Sequence, residues 1–77
     1  MTKSAGSSEY LVVYEKTATG YSAYVPDLPG CITTGATLGD TKRSMEEAIR
    51  GHLATMREFG DPIPQPSTVA EPMRVPA

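Results

Sequence analysis

Apolar and polar positions alternate with a period near two over the first half of the chain and near 3.6 over the second. Residues 10–15, Tyr-Leu-Val-Val-Tyr-Glu, favour a pleated strand because Tyr and Val suit that surface. Leu11 and Val13 point to one face, and Tyr10, Val12 and Tyr14 to the other. With both faces apolar, this strand is expected to be central. Residues 17–20 supply a turn, with Gly20 expected at positive φ. Residues 21–25 return as an antiparallel strand, and Pro26 stops it because proline has no N–H for the ladder. Asp27-Leu28-Pro29-Gly30 is turn chemistry, and residues 31–34 make a third short strand ended by Gly35.

The longer period then takes over. Leu38, Met45, Ala48, Ile49, His52, Leu53, Met56 and Phe59 trace one stripe of a helix predicted over residues 38–59. Thr37 followed by Asp40 is a capping-box variant, Gly60 a C-terminal cap, and Pro62 forbids continuation. Residues 61–66 form a Pro-rich, semi-rigid exit, since five of the seven prolines fall in residues 61–77. Residues 68–75 could add a fourth, edge strand with Pro72 facing away from the ladder. Residues 1–8 are Ser/Gly/Ala-rich and are expected to be disordered, leaving one domain over residues 9–75. The fold class is α+β: a βββα meander with one helix on one sheet face, then a β strand if the edge forms.

Composition narrows the function. A chain of 77 residues buries only about 60% of its unfolded surface, so its core is marginal alone. Self-association, as a homodimer or higher homo-oligomer, is therefore expected, with Tyr10, Val12 and Tyr14 as the interface face that one helix cannot also cover. A net charge of −2 gives no basic field for nucleic acid. The single Cys31 cannot form an internal disulfide, and neither a membrane span nor a signal-peptide stretch is visible. The expected location is cytoplasmic.

Catalytic chemistry is sparse. The only His, His52, lies on the apolar stripe and the only thiol, Cys31, at a strand start, an arrangement that favours packing over a nucleophile–base dyad. No ligand spacing for a metal and no glycine-rich phosphate loop is present, so neither metal nor cofactor is expected. The strand order invites comparison with ribonuclease H enzymes, which hold two metal ions on carboxylates, one of them in mid-strand. Here the first strand has no central acid, Glu15 stands at its end, and Asp27 lies in a turn. The expectation is no enzyme.

One set of residues carries a family resemblance. Val25-Pro26-Asp27-Leu28-Pro29-Gly30-Cys31, Gly35 and Thr37, Glu46-Glu47-Ala48-Ile49, and the exit from Gly60 through Pro66 resemble the HicB-like antitoxin family over residues 10–67. That resemblance implies a degenerate ribonuclease H-like fold without its active site. It also implies a partner, a small HicA toxin that cleaves RNA, which the antitoxin blocks in a type II toxin–antitoxin system. Family members carry a C-terminal DNA-binding segment; only eleven residues follow Pro66 here, so direct operator binding is not expected of this chain. The candidate partner-contacting residues are Tyr24, Asp27 and Leu28, with Glu46 and Glu47 on the helix. The alternative function is a solitary HicB-like oligomeric module that binds a different protein or a small ligand.

Overall fold

The structure, a computed structural model, describes residues 9–76. Three strands, β1 (Val13–Lys16), β2 (Tyr21–Tyr24) and β3 (Ile32–Gly35), precede one 21-residue helix, α1 (Leu38–Glu58). The sheet order is β1-β2-β3, antiparallel throughout, with Tyr14 opposite Ala23 and Ala23 opposite Thr33. This is the α+β meander with a helix on one face.

Strand β1 begins three residues later than the apolar pattern suggests. Val13 pairs with Tyr24, and beyond Tyr24 the partner strand runs into Pro26. Without a ladder partner, residues 10–12 join no strand. The β1–β2 hairpin closes by a Thr17 amide bond to the Gly20 carbonyl at 2.8 Å. Gly20 does not take the left-handed conformation expected of it; among the described residues only Gly30 and Gly60 do. It is needed for space instead, because a Cβ there would lie 2.2 Å from the Gly35 carbonyl oxygen.

The turn after β2 is built to bury one leucine. The Leu28 amide donates to the Val25 carbonyl and the Cys31 amide to the Leu28 carbonyl, both at 3.0 Å, with Gly30 at φ 85°. Two successive turns thus tuck Leu28 inward, where it is 0% exposed. It joins Ala23, Val25, Cys31 and Met45 in the core.

Helix α1 starts where Thr37, extended at φ −127°, accepts the Asp40 amide on its hydroxyl at 3.0 Å. Only half of the capping box forms, since the Asp40 carboxylate turns to Arg43. The far end closes as a Schellman motif: the Asp61 amide reaches the Met56 carbonyl, the Gly60 amide reaches Arg57, and Gly60 sits at φ 73°. The helix packs most closely at its first turns. Thr41 is fully buried and its hydroxyl bonds the Thr37 carbonyl at 2.7 Å. Gly35 permits this approach, since a Cβ there would stand 2.5 Å from the Thr41 hydroxyl. Further along, Ala48, Ile49 and Leu53 pack on the core, whereas Leu38 and Phe59, at the two ends of the stripe, are exposed.

Further expectations change. Strand β1, expected to be central because both its faces are apolar, is an edge strand, and β2 is the central one. Tyr10, Val12 and Tyr14 were assigned to the uncovered face, but they pack against the core beneath the helix. Residues 68–75 add no edge strand; they join no ladder and are exposed. Residues 1–8, expected to be disordered, lie outside the described residues.

Candidate functional site

Alternation along β2 decides which side chains are free. Ala23 is buried toward α1, so its neighbour Tyr24 projects from the opposite face. Val13 and Ile32 stand directly across from Tyr24 in the two pairings and share that face. Tyr24 is 40% exposed and Ile32 65%, while Val13 is half-buried. Glu15 and Thr34 extend the same face, giving an apolar row with an acid beside it. Among the described residues nothing covers this face. A strand apolar on both sides does not say which side the helix takes, and the face left open is that of Val13, the alternative to the Tyr10, Val12 and Tyr14 face.

Asp27 stands at the corner after β2, and its carboxylate is fully engaged within the chain. Its Oδ2 accepts the amides of Ser67 and Thr68 at 2.8 and 3.0 Å, and its Oδ1 the Thr68 and Ser67 hydroxyls at 2.7 and 3.2 Å. The Thr68 hydroxyl, then the Thr68 and Ser67 amides, pull the carboxyl down to about 2, with burial opposing weakly. Asp27 is therefore an anchor for the segment that follows the Pro-rich exit. The Tyr10 hydroxyl adds a second fastening, donating to the Pro64 carbonyl at 2.5 Å. The Ser-Thr pair after the proline run was the available sequence signal for these donors.

The other expected contact residues scatter. Leu28 is core and offers no surface anchor, a correction that follows from the double turn around it. Glu46 and Glu47 are exposed on α1, on the far side of the sheet from Tyr24, and Glu46 is paired with Arg50 at 2.8 Å. One flat partner surface cannot meet Tyr24 and both glutamates together.

On the helix side, an open groove of about 600 Å³ runs between residues 9–14 and α1. Tyr10, Val12, Met45 and Ile49 line it, with Lys42 and Glu46 on the helix wall. The one thiol gives no reactive centre: Cys31 is buried, burial pushes its thiol up, and no hydrogen bond joins it to His52. Among the described residues no group of three His, Cys, Asp or Glu side chains could hold a metal, and no helix is long and apolar enough to cross a membrane.

Comparison with known proteins meets this geometry directly. Residues 10–77 match the family described as HicB-like antitoxin of bacterial toxin–antitoxin system. The chain belongs to the HicB-like antitoxin family. A solved structure of a HicA3 and HicB3 toxin–antitoxin complex superposes with a TM-score of 0.68 at 33% identity, covering 78% of this chain and 70% of that one. A UPF0150 protein of Thermoplasma acidophilum is 34% identical over 58 residues, 74% of this HicB-like chain and 84% of the relative. An uncharacterised 14.9 kDa protein from the rep–hol intergenic region of Haemophilus phage HP1 is 34% identical over 62 residues. That alignment takes in 80% of this chain but 47% of the phage protein, so the HicB-like chain spans about half the length of that relative.

Proposed function

We propose that this HicB-like chain neutralises a HicA-like, RNA-cleaving toxin by occupying it, with no chemistry of its own. The observation that carries the reading is the likeness in fold and sequence to a chain of the HicA3–HicB3 complex. The physics is compatible. A surface that holds RNA is basic, and a partner of net charge −2 has the sign needed to be steered onto it.

The docking face is the uncovered side of the sheet. Tyr24 and Ile32 supply apolar anchors, and the neighbouring Glu15 offers an acid for a Lys or Arg of the toxin. Asp27 holds the chain in shape beside this face, and Glu47 contributes only to the long-range field. The complex forms in the cytoplasm, where the RNA to be spared is found, and the antitoxin acts as a homodimer.

Co-expression with a HicA-like toxin tests the proposal. Growth should be rescued, and a pull-down should recover a complex. Because Ile32 is exposed, Ile32→Glu should fold normally yet lose both rescue and capture, while Glu47→Lys should weaken capture chiefly at low salt. A toxin that stays lethal, with no complex recovered, would replace this reading with the solitary module that binds another partner.

A further inference from the structure

The three strands carry two charged residues, Glu15 and Lys16, and the pleat sends them to opposite faces. Lys16 pairs with Tyr21 on the helix side, its ammonium 5.6 Å from the centre of that ring. Glu15 pairs with Ser22 on the open side, in the same parity as Val13. The strand residues of the open face therefore hold one carboxylate and no cation. Other acids of the domain are already engaged: Asp27 by Ser67 and Thr68, Asp40 by Arg43, Glu46 by Arg50. Among the described residues Glu15 enters no ion pair and no side-chain hydrogen bond, and it is exposed.

Two parallel rows cross the open face. Val13, Tyr24 and Ile32 form the apolar one; Glu15, Ser22 and Thr34 stand in register beside it, about 7 Å along the strands. The apolar row offers area and little direction. In the polar row Ser22 and Thr34 carry hydroxyls, which donate or accept as a partner requires. Glu15 has no such latitude, since an ionised carboxylate only accepts. Covered by a partner with no cation opposite, it gives up water and receives nothing in return, which is strongly unfavourable.

Resting on the toxin-binding reading of this face, we propose that Glu15 is the residue that determines which toxin the chain accepts. Tyr24 and Ile32 hold an apolar patch of matching shape, whatever its surroundings. Glu15 accepts only a patch that sets a Lys or Arg about 7 Å to one side of its apolar centre. A patch presenting an acid there, or no charge at all, is turned away. Selectivity then comes from the penalty on the wrong partner more than from added attraction for the right one. An Arg opposite Glu15 meets both carboxylate oxygens at once and fixes the register of the two surfaces.

The experiment uses the full chain and a HicA-like toxin, in calorimetric titration and in co-expression. Glu15→Gln keeps the shape, removes the charge and should weaken binding about thirtyfold or more. Glu15→Lys should lose rescue, and at this exposed position both variants should keep the circular dichroism spectrum of the parent. Lys16→Gln, the matching change on the other face, should leave binding within about twofold. Toxin variants selected for rescue by Glu15→Lys, and kept only if lethal alone, should have exchanged a Lys or Arg for Asp or Glu. Those variants should escape the unaltered chain. Binding that Glu15→Gln does not weaken, or suppressors that reverse no charge, would overturn the assignment and leave the toxin-binding reading in place. No binding by the unaltered chain would remove that reading and the assignment with it.

Discussion

At the scale of single residues, Asp27 carries the clearest electrostatic signature. Four hydrogen bonds favour its ionised form, so its pKa falls from 3.8 to about 2. A carboxyl depressed by folding contributes stability that is present above its unfolded value and is lost as pH falls through its folded value. The fastening of Ser67 and Thr68 should thus hold down to about pH 4 and let go between about 4 and 2. Amide chemical shifts of Ser67 and Thr68 followed against pH should titrate with a midpoint near 2. Asp27→Asn should remove that titration and raise the exchange rates of both amides. A midpoint near the ordinary carboxyl value would show that the bonds do not persist in solution.

The elements show why some of the sequence was legible. Helix α1 announced itself through its apolar stripe, its cap and its terminal glycine, all local signals that survive in the structure. Thr37→Ala should remove the hydroxyl that accepts the Asp40 amide and cost about 1 kcal/mol, read as a lower urea midpoint with an unchanged slope. The strands were legible as strands, but not their facing. Tyr10, Val12 and Tyr14 form one apolar row, and Leu11 and Val13 form another. Only the buried side of Ala23 in the pairing with Tyr14 decides which row lies under the helix. Thr41 escaped because its burial depends on the absence of a side chain at Gly35, six residues away in sequence and on another element. Leu28 was offered as a surface anchor because a turn usually lies outside. Here two turns in succession send its side chain inward.

For the molecule as a whole, the sheet separates two surfaces. The row formed by Val13, Tyr24 and Ile32 is on one side, and the groove between residues 9–14 and α1 is on the other. Toxin capture and self-association should therefore be separable by mutation. Ile32→Glu should abolish capture while leaving the mass of the antitoxin unchanged. Analytical ultracentrifugation of this variant, alone and with toxin, reads both properties. Loss of both by this substitution would mean that the two surfaces are coupled.

The buried thiol of Cys31 also makes the molecule its own stopwatch. It sits among Ala23, Val25, Leu28 and Met45, with the thiol form favoured by its surroundings. A thiol reagent can reach it only when the turn, the sheet and the helix part company. The rate of labelling under native conditions then reports the fraction of time the core spends open, without denaturant and without an engineered cysteine. Bound toxin or a second copy should slow that clock by the factor with which it favours the closed form.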